Sequence, residues 1–379
     1  MAVVFDEAKL RQRVLSEFQQ LGFQVTLDFI VLPEDKESYR KAQKAAKRQQ
    51  ILQYADFIRQ NLRLVERLYR AHLPQFDPHN IQLELRKVEG MATKSFDSML
   101  YKWWSLIWWS MPYQPMLGRQ LRYILWDKGN GLPFGIIGLC SPILRFAPRD
   151  KYLNISVEDR PYWVNKSLNI HRLGALPPYN QLIGGKMVAL AVFAPQVRQD
   201  YWQHYKDHLL FLTTLSAFGR SSIYNRLKLP DGSPAAISLG YTRGTGTFHI
   251  PDDLYELLLE YLKYKEGRLV YGRGMQAGPS RKLRNINRAL TFLGIKNGVK
   301  HNIRREVFLF PLAKNLKEII QKGQAAHFID YSLSDLQEYW WQRWGLPRLK
   351  RKGLDLHFWD NIMQEIEGWF AREKEGMLL

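Results

Sequence analysis

The stretch LRYILWDKGNGLPFGIIGL, from Leu121 to Leu139, decides the class of fold. Its two ends, Leu121–Trp126 and Phe134–Leu139, are short runs of mostly apolar residues, rich in the aromatic and β-branched types that strands favour. The letters DKGNG between them are typical of a turn. The stretch therefore predicts two strands joined by a turn.

The chain beyond this pair alternates between helix and strand. Gly184–Phe193 is predicted to be a helix, Leu209–Thr214 a buried strand, Ser221–Leu227 a short helix and Ile237–Tyr241 another strand. This order indicates a mixed-sheet core domain of the α/β or α+β kind over residues 115–250.

The flanks of this core are predicted to be helical and basic. In the first region, 1–114, apolar residues at spacings of three and four predict one long helix over Lys36–His72. In the last region, 251–379, a helix over Asp252–Lys263 and a basic helix from Ser280 precede the hairpin signal Asn297-Gly298. With Glu306–Phe310 as the returning strand, this arrangement resembles a winged helix-turn-helix.

The charge of the chain points to a polyanionic partner. Lys and Arg number 55 against 36 Asp and Glu, a formal net charge of +19. The run from Tyr271 to Arg305 contains nine basic and no acidic residues, a clustering that suits phosphate contact better than general solubility. We therefore predict nucleic acid, most simply DNA, as the partner. The predicted backbone contacts come from Arg281, Arg284, Arg288, Lys300, Arg304 and Arg305.

Other features narrow the class of protein. The N-terminus lacks the apolar stretch of a signal peptide, and no window is apolar enough for a membrane span, which predicts a cytoplasmic protein without a membrane partner. The single cysteine, Cys140, excludes an internal disulfide and a zinc-finger cage. Trp340, Trp341 and Trp344, in a helix that Gly345 and Pro347 are predicted to end, are expected to pack rather than bind a ligand.

The segment PPYNQLIGGK, residues 177–186, is the best candidate for a cofactor site. Gly184 and Gly185 open an apolar helix, where backbone N–H groups can approach a phosphate or pyrophosphate and Lys186 can add a charge. The alternative is that the glycines serve close helix–strand packing. The cofactor itself stays unknown.

Polar residues elsewhere in the core are the candidates for chemistry, although no standard catalytic signature or metal site is present. Arg149, Asp150, Tyr179, Lys186, Tyr224 and Arg226 are predicted to line a functional cleft. Asp150 with Asp159 on a divalent metal, or Tyr224 as an attacking hydroxyl, would make a nuclease or strand-transfer enzyme. Arg226 is expected to lower the pKa of Tyr224.

Several motifs in order resemble one known family. They are LGRQLRYILWDKGNGLPFGIIGLCSPILRFAPRDKYL, NIHRLGALPPYNQLIGGKMVALAV, FLTTLSAFGRSSIYNRLK and SLGYTRGTGTF, between Leu117 and Phe248. This pattern looks like the DruA family, named after the Druantia anti-phage defence systems of bacteria. The resemblance implies a genome-defence or mobile-element setting, DNA as the target and other defence subunits as partners.

The order of elements also resembles, at the level of fold, the acyl-CoA-dependent (GNAT) N-acetyltransferase superfamily. That likeness implies an α+β protein with a GNAT-like mixed-sheet core between basic helical flanks. In that superfamily a Gln/Arg-x-x-Gly-x-Gly/Ala turn holds a pyrophosphate; here Gln181 and Gly184 match it, while Lys186 replaces the last small residue. Tyr224 falls near the superfamily's general acid. A group-transfer enzyme acting on a nucleobase or an amine is therefore an alternative function.

Overall fold

The computed structural model describes residues 5–20, 23–26, 30–31, 35–89, 95–108, 113, 116, 118–217, 219, 221–242, 250–267, 270, 279–296 and 304–376. Its helices are α1 (Glu7–Gln20), α2 (Lys36–Gln53), α3 (Ala55–His72), α4 (Phe96–Ile107), α5 (Ala147–Leu153), α6 (Arg160–Asn165), α7 (Gly184–Leu190), α8 (Pro195–Tyr205), α9 (Asp252–Glu266), α10 (Pro279–Phe292), α11 (Leu316–Lys322), α12 (Leu333–Trp340), α13 (Leu346–Lys352) and α14 (Phe358–Gly376). Its strands are β1 (Gln24–Val25), β2 (Ile30–Val31), β3 (Leu83–Lys87), β4 (Gln120–Asp127), β5 (Leu132–Cys140), β6 (Ser167–Ala175), β7 (Phe211–Leu215), β8 (Ile237–Tyr241) and β9 (Glu306–Pro311).

A seven-stranded mixed sheet forms the centre of the protein, in the order β3-β4-β5-β6-β7-β9-β8. The predicted strand pair is confirmed as the antiparallel hairpin of β4 and β5. Of the sheet's described pairs, β6 with β7 is parallel and the others are antiparallel. A mixed sheet surrounded by helices agrees with the predicted α+β class.

The parallel pair opens towards one end of the sheet. β6 and β7 pair from Ser167 with Phe211 to Asn169 with Thr213, and the described parts of the two strands do not pair beyond that point. On its other side β6 carries a bulge, because Gly138 of β5 pairs with Arg172 while the next residue pairs with Ile170. His171 therefore has no partner in the ladder and sits at an irregular point of the sheet.

The main hydrophobic core covers this sheet, and its densest part is aromatic. Trp103 and Trp104 of α4 are fully buried, and their rings lie 6.2 and 6.3 Å from that of Trp359 in α14. The ring of Tyr69 stacks on Trp359 at 4.6 Å. The two adjacent tryptophans of α4 therefore pack in the core.

A second hydrophobic core joins the two flanks of the chain. It combines the apolar side of α1 with the start of α2, with α9 and with α10. Its buried members include Leu10, Val14, Phe18, Tyr39, Ala42, Leu254, Leu258, Ile286, Leu290 and Leu293. The predicted basic helix α10 thus has the buried side that its sequence indicated, and it packs on a helix from the other end of the chain.

Three local predictions were wrong. The helix predicted over Lys36–His72 is two helices, because Tyr54 leaves the helical region with φ −106° and ψ 17°. The helix predicted at Ser221–Leu227 is a run of turns, and Arg226 adopts a positive φ of 57°. The strand predicted to return a winged hairpin is β9, which lies inside the central sheet between β7 and β8. Asn297-Gly298 lies outside the described residues.

None of the described helices combines the length with the apolar character that crossing a bilayer requires.

Candidate functional site

Tyr224 lies beside the opening between β6 and β7. Its residue is 7% exposed, and its ring packs edge-on against Phe308 at 5.3 Å and Phe310 at 5.5 Å. Its hydroxyl interacts with the side chain of Thr214, whose Oγ1 donates to the carbonyl oxygen of Ile170 at 2.8 Å. The phenol therefore points to the place where the two parallel strands have stopped pairing.

The pKa of Tyr224 was expected to fall, and this expectation was wrong. Burial raises the pKa to about 12, while the hydrogen bond with Thr214 acts in the opposite direction. Arg226 is exposed and has no part in the shift. A phenol with so high a pKa stays protonated near neutral pH, so Tyr224 is suited to donate a proton and poorly suited to attack as phenolate. A catalytic role for Tyr224 and Arg226 stays a prediction.

Lys186 holds the turn that carries Tyr224. Its ammonium lies 3.3, 3.1 and 3.4 Å from the carbonyl oxygens of Ser222, Ile223 and Asn225. These acceptors match the three donors of an ammonium group, so Lys186 ties the turn to α7. Burial, and then the charge of Arg343, lower the pKa of Lys186.

The two glycines before Lys186 differ in their surroundings. Gly184 is buried, and a Cβ on it would stand 2.6 Å from the carbonyl oxygen of Tyr179 and 3.0 Å from Ala175 Cβ. Gly185 is half-buried, and a Cβ there would meet only the side chain of Ile223, at 3.4 Å. The geometry supports a packing role for Gly184, whereas cofactor binding by Gly184, Gly185 and Lys186 stays a prediction.

We expect Gly184→Ala to lower the free energy of unfolding by about 1–3 kcal/mol, because backbone must move to admit the new methyl group. Gly185→Ala is the matched control and should cost no more than about 0.5 kcal/mol, since alanine favours a helix over glycine. Urea unfolding followed by circular dichroism compares the two variants. Equal stability of both would contradict the packing role.

Asp150 is the centre of a buried ion network. Its Oδ1 accepts from Arg149 Nε at 2.8 Å and Nη2 at 2.6 Å, and its Oδ2 accepts from Arg160 Nε at 2.9 Å. The Arg149 side chain is fully buried and also donates to the carbonyl oxygens of Ile143 and Leu144. Burial lowers the pKa of Arg149 in spite of this pairing. Asp150 is thus engaged by two cations, which disfavours a metal at the same carboxylate.

Asp159, the predicted second metal ligand, has a different setting. It is exposed, and its Oδ2 accepts from Ser156 Oγ at 2.8 Å. Among the residues that the structure describes, no three His, Cys, Asp or Glu side chains come together as a metal site. Tyr179 is buried in the core, where its hydroxyl donates to Asp127 Oδ2 at 2.8 Å. Of the predicted cleft residues, Arg149 and Asp150 thus share one network, Tyr179 lies in another, and Lys186 binds the turn that carries Tyr224.

Part of the basic cluster predicted to bind DNA serves the fold. Arg288 on α10 pairs with Glu266 of α9, and Lys282 of the same helix pairs with Asp252 of α9 at 3.2 Å. Arg305 donates from Nε to the carbonyl oxygen of Ser216 at 2.7 Å, and burial lowers its pKa. Of the remaining predicted contacts, Arg281 and Arg284 lie on α10, Arg304 is exposed, and Lys300 lies outside the described residues.

A second basic region, which the sequence reasoning missed, lies at α12 and α13. Tyr339 and Trp344 meet edge-on, with ring centroids 5.5 Å apart. The guanidinium of Arg343 lies 5.2 Å from the Trp344 ring, and the ammonium of Lys186 lies 5.4 Å from it. Two cations thus surround one half-buried indole.

The helical stretch does not end at Gly345 and Pro347, contrary to the prediction. A π-helical turn over Trp341–Gly345 leads directly into α13, where proline stands in the first turn and its missing N–H is not needed. α13 ends in three exposed cations, Lys350, Arg351 and Lys352. We call Tyr339, Arg343, Trp344, Lys350, Arg351 and Lys352 the basic–aromatic surface.

The sequence contains a signal for this surface. Residues 339–352, YWWQRWGLPRLKRK, include five basic and no acidic residues.

The Arg348 Nε of α13 donates to the carbonyl oxygen of Gln181 at 3.1 Å, which ties the helix to the turn before α7. Trp340 is fully buried, as predicted, whereas Trp341 and Trp344 are half-buried.

Comparison with known proteins assigns the chain to a family. Residues 33–322 match the family model described as Druantia protein DruA. A curated protein of that description from Escherichia coli (strain UMEA 4076-1) is 33% identical over 360 residues, which cover 90% of this chain and 87% of the relative. The chain belongs to the DruA family. The resemblance predicted from the motifs is thereby confirmed. No solved structure matches the chain.

The DruA-family match contains every predicted site residue, from Asp150 through Gly184 and Tyr224 to Arg305. The basic–aromatic surface lies beyond it, since the match ends at Lys322.

Proposed function

We propose that this DruA-family protein is a nucleic-acid-binding component of a bacterial anti-phage defence system and works with other subunits of that system. The name of its relative, Druantia protein DruA, supports the defence setting. The basic–aromatic surface is the observation that carries the binding function. DNA is the partner that a defence setting favours.

The chemistry of this surface fits a nucleic acid strand. Exposed cations at the end of α13 can neutralise phosphates, which supplies most of the affinity in such complexes. The indole of Trp344 and the phenol ring of Tyr339, with Arg343 beside both, offer the rings on which unpaired bases stack. The simplest rival is that Lys350, Arg351 and Lys352 only offset the negative end of the helix dipole.

We expect Lys350→Gln, Arg351→Gln and Lys352→Gln together to weaken binding to every DNA sequence. For each phosphate that the protein no longer neutralises, the slope of log K against log salt should fall by up to ~0.9 on duplex and ~0.7 on single strands. Fluorescence anisotropy at several salt concentrations measures both the affinity and the slope.

The control removes the same charge elsewhere. Arg281, Arg284 and Arg288, replaced together by Gln, subtract three charges from the basic helix α10 and should change the slope less. A larger effect of the α10 substitutions would move the interface to the helix predicted from sequence. Equal small effects in both variants would mean that only net charge matters, which contradicts the proposed surface.

We infer a second candidate function, group transfer by a GNAT-like core, from the opening between β6 and β7. The hairpin of β4 and β5, the glycine-led helix α7 and the strands β7 and β8 follow in the predicted order, although Tyr224 lies in a turn where the likeness expects a short helix. A phenol with a pKa of about 12 at the opening keeps its proton near neutral pH, so the hydroxyl carries the proton that a leaving group would need. The group donor and its binding residues stay open.

A further inference from the structure

Three residues that pair across the sheet place a glycine between two arginines. Arg122 of β4 pairs with Gly138 of β5, and Gly138 pairs with Arg172 of β6. Residues opposite each other in neighbouring strands project to the same face of a sheet. Since Gly138 has no side chain, the space between the two arginines is taken by side chains from elsewhere in the fold.

His171 and Tyr101 border the same position. A Cβ on Gly138 would collide with the Tyr101 hydroxyl and stand 2.6 Å from His171 Nε2. His171 reaches this point because the bulge in β6 removes it from the ladder. Tyr101 comes from α4, the helix with the two buried tryptophans. The four polar side chains therefore converge from two strands, a bulge and a covering helix.

The imidazole of His171 is unmatched within the part of the chain that the structure describes. Both ring nitrogens are buried, and neither has a hydrogen-bond partner among the described residues. Burial, followed by the charges of Arg172 and Arg122, lowers the pKa of His171 to about 3, so the ring is neutral. A buried neutral imidazole with two unmatched nitrogens is unfavourable unless some other group supplies the partner.

We propose that Arg122, His171, Arg172 and Tyr101 form a binding site for a phosphate group, either inorganic phosphate or a phosphate monoester. Two guanidiniums match the charge of a phosphate dianion and present several N–H donors in the geometry that phosphate oxygens accept. The imidazole and the phenol add one further donor each. The ring of Tyr113, 4.9 Å from the Arg172 guanidinium, borders the site.

This site is distinct from the basic–aromatic surface. It lies within the sheet at the bulge of β6, and its residues come from the part of the chain that the DruA family model matches. The phosphate site and the nucleic-acid surface at α13 use different residues, so a test that contradicts one leaves the other unaffected.

The test is a titration of the full-length protein with inorganic phosphate at constant ionic strength, followed by calorimetry and by the side-chain nitrogen signals of ¹⁵N-labelled histidine. We expect one saturable site and a shift of the His171 signals. Arg122→Gln and His171→Phe should each weaken binding about tenfold or more. Arg63→Gln, which removes an exposed charge from α3, should bind phosphate like the unchanged protein.

Three results would overturn the proposal. The first is unchanged phosphate affinity in Arg122→Gln, because Arg122 would then lie outside the site. The second is an equal loss in Arg63→Gln, because binding would then follow net charge. The third is acetate binding as tightly as phosphate, because the site would then select a carboxylate. If His171→Phe does not fold, Arg122→Gln and the His171 signals of the unchanged protein decide the matter.

Discussion

Replacing Asp150 with alanine is expected to lower the free energy of unfolding by about 3–5 kcal/mol. The Arg149 side chain is fully buried, and Asp150 supplies its counter-charge through two hydrogen bonds. Without the carboxylate, a guanidinium would remain in the interior next to Arg160, whose own partner at 2.9 Å would also be gone. Replacing both partners of a buried ion pair by apolar residues often changes stability little. Removing only one partner is strongly destabilising, because the other charge is left buried without a counter-charge.

Urea unfolding of Asp150→Ala measures this loss, and Asp159→Ala is the control. Asp159 is exposed and bonds to Ser156 nearby in sequence, so its replacement should cost about 1 kcal/mol or less. The same pair of variants tests the nuclease alternative. An Asp150→Ala protein with unchanged stability and without divalent-cation-dependent cleavage would make Asp150 a metal ligand rather than a structural anion.

Tyr224→Phe is expected to abolish protection against phage while the fold and DNA binding persist, if the core transfers a group. The change keeps the ring that packs on Phe308 and Phe310, so stability should change by about 1 kcal/mol or so. It removes the hydroxyl that interacts with Thr214 at the opening of the sheet. The measurement is the efficiency of plaque formation on cells that carry the complete defence system.

Tyr123→Phe is the matched control for this experiment. Tyr123 is also a buried tyrosine of the sheet region, and its hydroxyl bonds to Asp200 at 2.9 Å, away from the opening. Protection should therefore survive in Tyr123→Phe. Full protection in Tyr224→Phe would confine Tyr224 to packing, and a covalent DNA adduct that disappears in the variant would favour nucleophilic attack over proton donation.

The strands of the sheet were easiest to predict from sequence where they are mostly apolar. Every residue of β5 is buried, so its unbroken apolar run stands out. β6 is as long, but His171 and Arg172 interrupt its pattern, and β3 carries charges at alternate positions. The parallel pairing of β6 with β7 joins segments some forty residues apart, which no local periodicity records.

The candidate sites were harder to predict because charge alone does not tell which cations are exposed. Arg288 lies in a run without acidic residues, yet its charge is paired with Glu266, which lies outside that run. Residues 339–352 are equally free of acid, yet their tryptophans suggested packing, and only Trp340 is fully buried. Asp150 was difficult for the same reason. Its carboxylate could have bound a metal, but in the structure it is paired with Arg160, ten residues along the chain.

The place of β9 between β7 and β8 affects the order in which the protein can be completed during translation. Chains emerge from the ribosome N-terminus first, so β8 appears before the strand that joins it to the sheet. Residues 242–305, which include α9 and α10, must follow before β9 can fill the gap. Until then β7 presents an unpaired edge, the kind of surface on which nascent chains aggregate. The second core, formed by α1 with α9 and α10, can assemble in that interval and hold the insertion between β8 and β9 in place before the last inner strand arrives.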